Sequence, residues 1–240
     1  MAVVTINGAT GVGTPEVGLQ VAALLEADYV DRILLSEAAK RVGTTVQVLE
    51  MKEQRLIPFR DRLAYFLQTM LERSAMSGAG GEPYFSPGME YLPAEEYTDL
   101  AHEPRTAAQR LNDEHYIEAT SAVMKDLAES GNVVISGRGS NMILKEMPAV
   151  LHVALLAPLD RRIDTIMERE HLGREEAAAY VESMEKAREE YFKKFFGVFP
   201  DDPDLYHMVV NEGGMSTKTV AEIVAHAAKD LESAMSERVG

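Results

Sequence analysis

The sequence predicts an α/β protein: a three-layer arrangement with a central parallel sheet covered by helices on both faces. Three observations carry that expectation. Short β-branched runs alternate with longer segments of helical periodicity, most regularly in the last third of the chain. Strands separated by helices need crossover connections, which give parallel pairing. A glycine-rich loop stands between the first strand and the first helix, and parallel sheets bind their ligands at that end of the strands.

Taken in order, residues 2–6 (AVVTI) form a buried strand and residues 7–13 (NGATGVG) a loop. Val17, Val21, Leu24 and Leu25 are spaced as the buried face of a helix. Thr14 is placed to cap that helix, and Pro15 to occupy its first turn, where a missing N–H is harmless. A second strand holds Tyr29 and Val30 and ends at Asp31, before a helix over residues 32–42. Thr44 or Thr45 starts another helix, and Phe59, Leu63, Phe66, Leu67 and Met70 continue the helical spacing. Residues 77–93 (SGAGGEPYFSPGMEYLP) read as a glycine- and proline-rich loop. Residues 44–105 are therefore expected as a helical insertion within one domain spanning residues 1–240. A helix over 107–129 leads into a strand at 132–136 (NVVIS), then a strand at 150–155 and a helix at 159–170. A charged helix over 173–196 and a strand at 207–210 follow. The last helix, from Ser216 or Thr217, turns Val220, Ile223, Val224, Ala227 and Leu231 inward.

Composition narrows the function. The chain has 240 residues, 46% of them hydrophobic, enough for a core of ordinary size. It has no cysteine, which excludes disulfides, thiolate metal sites and cysteine nucleophiles. No apolar run is long enough to span a bilayer, and the first residues lack the basic-then-apolar order of a signal peptide. A cytoplasmic location is expected. A formal charge of −15, from 24 Lys and Arg against 39 Asp and Glu, argues against nucleic-acid binding and reads as solubility. It leaves room for a small anion, because local backbone dipoles and a few placed arginines outweigh distant charge. The six histidines stand singly, without metal-ligand spacing, and His152 and His207 fall in predicted strands. Pairs such as Asp201-Asp202 are too common in an acidic chain to signal catalysis. Tyr84, Phe85 and Tyr91 can stack on a base or cover a neighbouring subunit; the second is favoured, which makes a homodimer the expected partner state.

The loop carries the chemistry. Gly8 and Gly13 have the separation of the G-x-x-x-x-G-K-[ST] phosphate loop, with Gly11 between them. Thr14 stands at the lysine position and Pro15 at the Ser/Thr position. The order is not that of a dinucleotide-binding G-x-G-x-x-G. A phosphate cradle and a purely structural strand-to-helix turn both fit this segment, and the cradle is favoured. Its donors are the backbone N–H groups of Gly8, Gly11, Val12, Gly13 and Thr14. Losing one preorganised donor costs roughly 3–4 kcal/mol of transition-state stabilisation, so the absent lysine weighs on catalysis more than on binding. Thr14 can ligate magnesium, though helix capping is its favoured role. The expected fold is of the P-loop NTPase type.

Further segments recur in a familiar order: residues 29–32 (YVDR), 134–139 (VISGRG), 152–162 (HVALLAPLDRR), 187–197 (AREEYFKKFFG) and 202–206 (DPDLY), ahead of Val209-Val210-Asn211 and Met215-Ser216. Together they resemble the cytidylate kinase-like family, a branch of the P-loop kinases, over Val3 to about Ala227, with residues 44–105 loosely matched. The resemblance implies ATP and magnesium (Mg2+) as cofactors and a small-molecule nucleotide, a pyrimidine monophosphate, as acceptor. Members of this branch often lack the loop lysine and follow the glycines with a small residue, Arg and Glu; here Glu16 is kept and Pro15 replaces the arginine. The arginine matching Arg138 contacts the acceptor monophosphate in cytidylate kinases, and Gly139 replaces the aspartate that follows it. A guanidinium between two glycines can clamp a phosphate, or it can make a surface salt bridge. Asp31 either orients the acceptor or caps the next helix. Residues 173–200 resemble a lid, with Arg161, Arg162, Lys186, Arg188, Lys193 and Lys194 as its cations and Arg188 on the transferring group. Glu182, Glu185, Glu189 and Glu190 intersperse with them, so a solvated charged face is the alternative. Three functions are in view: a phosphotransferase from ATP to a nucleoside monophosphate, a nucleotide-binding regulatory protein without turnover, and an interaction protein built on the insertion.

Overall fold

In the computed structural model the described residues are 2–31, 35 and 107–239. The expected insertion at 44–105, with its aromatic loop, lies outside them. The β-branched run after Ala2 forms β1 (Val3–Gly8), buried until its last residue. It is followed by α1 (Thr14–Leu25) and β2 (Asp28–Val30). Helix α2 (Ala107–Ser130) leads into β3 (Val133–Ser136), the short α3 (Ser140–Ile143) and β4 (Val150–Leu156). Helices α4 (Leu159–Glu170) and α5 (Arg174–Phe196) come next, and β5 (Met208–Asn211) and α6 (Thr217–Val239) complete the chain. None of the described helices is long and apolar enough to cross a membrane.

The five strands pair in the order β2-β3-β1-β4-β5, all parallel. β1 therefore lies at the centre, with Val3 opposite Val133 on one side and Val150 on the other. Because side chains alternate along a strand, β1 serves two cores. Val4 and Ile6 join Val17 and Val21 of α1 and Val220 and Val224 of α6. Val3, Val133, Ile135 and Val150 face the other way, onto Val123, Met124 and Leu127 of α2. This is a three-layer α/β fold with a central parallel sheet, as expected. α4 and α5 pack on each other through Ile163, Ile166, Ala177 and Val181 as a separate hairpin beyond the end of β4.

Several local expectations shift. Thr14 is the first helical residue of α1 and does not cap it; Gly13, in the left-handed region at φ 69°, occupies that position. Leu24 and Ile223 are exposed, and smaller neighbours take the inner faces: Gly18 and Ala22 in α1, Ala221 and Ala225 in α6. Gly18 is required because the Tyr29 ring rests where its Cβ would stand. His207 precedes β5 and is exposed, whereas His152 is buried. The two rings stack 5.1 Å apart, and Thr5 Oγ1 lies 2.8 Å from His152 Nδ1.

Candidate functional site

The glycine loop lies at the carboxyl end of the central strand. Gly11 and Gly13 adopt φ of 86° and 69°, a region that disfavours side chains. A Cβ on Gly8 would meet Val12 Cγ2 at 2.6 Å and Thr14 Oγ1 at 2.7 Å, so the loop folds over itself as a tight concave turn. Within it the Val12 N–H donates to the Ala9 carbonyl at 3.3 Å; tight turns of this kind, followed by the first turn of a helix, are a backbone setting in which anions bind.

What faces this loop comes from the other end of the chain. The backbone N–H of Thr10 donates to Glu185 Oε1 at 2.7 Å. The second carboxylate oxygen, Oε2, lies 3.0 Å from Arg188 Nη2 and 3.4 Å from Arg162 Nη1. Arg188 Nη2 also donates to Asp201 at 2.7 Å. Burial alone would push the Glu185 carboxyl up; Arg188, the Thr10 N–H and Arg162 outweigh it and hold its pKa below the ordinary value. Burial likewise disfavours the Arg188 charge, but Glu185 and Asp201 raise its pKa. The Nε atoms of both Arg162 and Arg188 are buried without a hydrogen-bond partner among the described residues. The main chain of α4 also comes close, since a Cβ on Gly11 would sit 2.5 Å from the Arg162 carbonyl oxygen.

A second cluster adjoins the loop through β3. Gly137 N donates to the Ile6 carbonyl at 3.0 Å, and Asn7 Nδ2 to Ser140 Oγ at 3.3 Å, tying the β3–α3 turn to the loop's first residue. Arg138 occupies that turn at φ 55° and is 1% exposed. It is therefore no surface arginine. Tyr191 of α5 donates from its hydroxyl to the Arg138 carbonyl at 3.3 Å, and the Phe196 ring rests against Gly139. Tyr191, Phe192, Phe195 and Phe196 form one ring cluster, with Tyr191 and Phe195 4.9 Å apart, which seats α5 on the turn.

Of the expected cations, Arg162 and Arg188 are thus brought to the loop, and Arg138 to the turn beside it. Arg161 is exposed on the first turn of α4, and Lys193 is exposed on the last turn of α5. Lys194 pairs with Asp113 of α2 at 2.7 Å. Asp31 follows β2, which is separated from β1 by β3; its carbonyl accepts the Leu35 N–H at 3.0 Å.

Three residues at the site carry no mark in the sequence. Glu185 lies in a helix dense with charge and carries no local mark of its role. Asp201 belongs to an adjacent carboxylate pair of a kind common in an acidic chain. Glu212 follows β5, with Oε1 3.4 Å from where a Gly13 Cβ would be, and Glu16 Oε2 reaches the same point at 3.6 Å. Burial raises the Glu212 carboxyl to a pKa of about 7; Arg161 opposes the rise and Glu16 adds to it.

These residues fit the groups expected of the site. The glycine turn at residues 8–13 and the two guanidinium groups facing it have the donor chemistry that phosphate oxygens take. Among the described residues no group of three or more acidic, histidine or cysteine side chains is placed to hold a metal ion. Glu16 and Glu212 provide two hard oxygen donors beside the loop. That suffices for magnesium, which binds through one or two carboxylates together with substrate phosphates.

The family model described as "Cytidylate kinase-like family" matches residues 3–213. The chain belongs to the cytidylate kinase-like family. Among curated proteins it is 27% identical to a cytidylate kinase of Sulfolobus acidocaldarius over 48% of this chain and 63% of that protein. A 99-residue stretch is 26% identical to a uronate isomerase of Corynebacterium glutamicum, covering 41% of this chain but 19% of that enzyme. The chain thus spans less than two thirds of the length of these relatives. A solved structure of an uncharacterized protein from Eubacterium ventriosum shares the fold, with a TM-score of 0.62 at 15% identity, over 95% of this chain and 99% of that one. Within the cytidylate kinase-like family, this member carries Thr14 and Pro15 in the loop and two arginines facing it from α4 and α5.

Proposed function

We propose that the chain is a nucleotide-binding phosphotransferase that moves the terminal phosphoryl group of ATP to a small acceptor, a pyrimidine nucleoside monophosphate being favoured by its family. One observation carries this reading: Thr10 N–H, Arg162 and Arg188 converge on a single anionic group at the glycine loop. The loop's N–H groups would hold the donor phosphates. Arg162 and Arg188 would provide the positive charge that Thr14 does not, and in phosphoryl transfer such positioning and charge account for most of the catalysis. Arg138, fixed in the turn beside the loop, would hold the acceptor phosphate, with Asp31 orienting the acceptor. Arg161 and Lys193 would contribute to the field at the edge of a lid formed by residues 173–200. Magnesium, when bound, would neutralise donor oxygens, held by Glu16 and Glu212. An oxygen of the acceptor phosphate attacks the terminal phosphorus, the bond to the bridging oxygen breaks, and ADP leaves with that electron pair.

The replacement of the loop lysine by Thr14 supports a second reading, a nucleotide-binding regulator without turnover. Incubation with ATP, magnesium and a panel of nucleoside monophosphates separates the two. Diphosphate formation well above background supports the phosphotransferase. Thermal stabilisation by ATP without product supports the regulator. Neither product nor stabilisation contradicts both.

A further inference from the structure

The phosphate site contains an anion of the protein's own. Glu185 Oε1 takes the Thr10 N–H at 2.7 Å, while Oε2 takes Arg188 at 3.0 Å and Arg162 at 3.4 Å. A loop N–H and two guanidinium groups form the donor set of a phosphate site, and here all three act on one carboxylate. The contact joins residues 175 positions apart and is partly buried. From this geometry we propose that Glu185 is an internal phosphate surrogate: it closes the site by occupying its donors and is displaced by the phosphate of a nucleotide. The proposal rests on the phosphate-binding reading above and deepens it by naming what competes for the site.

Like charges explain why the two occupants exclude each other. A phosphate oxygen on the Thr10 N–H would lie within bonding distance of the same donors as the carboxylate, and two anions at that separation repel strongly in a low-dielectric site. Glu185 and Arg188 stand one helical turn apart on α5, so a phosphate that displaces the carboxylate also releases Arg188 to bind it. The buried Nε atoms of Arg162 and Arg188 are donors still unmatched by Glu185. A carboxylate has two oxygens, and a terminal phosphate has a third to offer them. Because the closed form excludes ligand, the apparent affinity is the intrinsic affinity multiplied by the fraction of molecules in which Glu185 is withdrawn. Glu185 thereby sets the nucleotide concentration at which the site fills.

Calorimetric titration of the full chain with ATP, and separately with tripolyphosphate, tests this in the natural protein, Glu185→Gln and Glu185→Asp, alongside the melting temperature of each. Glutamine keeps the size and the bond from Thr10 but not the charge. The expected result is a paired change of opposite sign: Glu185→Gln melts lower without ligand, yet binds both ligands at least about tenfold more tightly. Glu185→Asp, which keeps the charge but shortens the reach to Thr10, falls between the two. Arg188→Ala weakens binding, so a gain in Glu185→Gln is not a general loosening. Equal or weaker binding by Glu185→Gln overturns the proposal, because Glu185 would then organise Arg162 and Arg188 for the ligand rather than compete with it. If neither the natural protein nor Glu185→Gln binds ATP or tripolyphosphate, the phosphate-binding reading itself fails and takes this proposal with it.

Discussion

Arg188 and Asp201 are joined by a 2.7 Å hydrogen bond from Nη2, the nitrogen that also serves Glu185. The arginine is buried, whereas the Asp201 side chain is 52% exposed. Removing the two ends of this bond should therefore have unequal effects. Arg188→Ala leaves Glu185 facing the loop with less compensating charge and should cost about 1–3 kcal/mol of stability, below the full range for buried pairs because both carboxylates retain some solvent. It should also lower phosphoryl transfer by about a hundredfold or more. Asp201→Asn should cost less than about 1 kcal/mol. Denaturant unfolding of both variants checks the ranking.

Gly11→Ala should damage the loop twice over. The residue adopts φ 86°, and the added Cβ would stand 2.5 Å from the Arg162 carbonyl oxygen, a main-chain atom that cannot swing aside. The expected loss is about 1–3 kcal/mol, together with much of the stabilisation by ATP. Melting curves with and without ATP read both quantities.

Acid should destabilise the fold through His152. Burial, with His207 beside it, lowers its pKa from 6.5 to about 4. The unfolded chain then binds the proton more readily, so the contribution is fully present above about pH 6.5 and lost as the pH falls toward 4. The linkage amounts to about 3 kcal/mol at most. Urea unfolding at pH 7.5, 5.5 and 4 should show the decline, and His152→Gln should flatten it.

Glu212 should act in the opposite direction. Its raised pKa, about 7, means that the folded state holds the proton more tightly than the unfolded chain does. Its contribution is fully present below the ordinary carboxylate range and lost as the pH rises through 7. Glu212→Gln should be more stable than the natural protein at pH 8 but not at pH 4, by less than about 1 kcal/mol because the group is partly solvated. Unfolding at the two pH values tests the sign.

The features legible in the sequence are the local ones. Val3 to Leu25 place strand, glycine loop and helix side by side, and each is specified by neighbours within one or two turns. Inward faces are less legible wherever small residues pack: Gly18 and Ala22 are buried while Leu24 is exposed, and at Gly18 the Tyr29 ring fills the space a side chain would need. Arg138 announced itself by its two flanking glycines, but its burial is set by Tyr191 and Phe196 of a helix far along the chain. Glu185 carried no signal. A glutamate among alternating charges on a helix has the pattern of a solvated face, and only the seating of α5 on the loop turns it inward. Glu212 is distinguished in the same way, by tertiary proximity to Glu16 and Gly13.

Binding of nucleotide phosphate at the loop can be read from the backbone amide resonances of the natural protein as ATP and magnesium are added. Saturable shifts of the Gly8, Thr10, Gly11, Val12, Gly13 and Thr14 amides are expected, with that of Thr10 among the largest as its Glu185 acceptor is replaced. Amides that stay fixed in this loop through saturating ATP would contradict phosphate binding there.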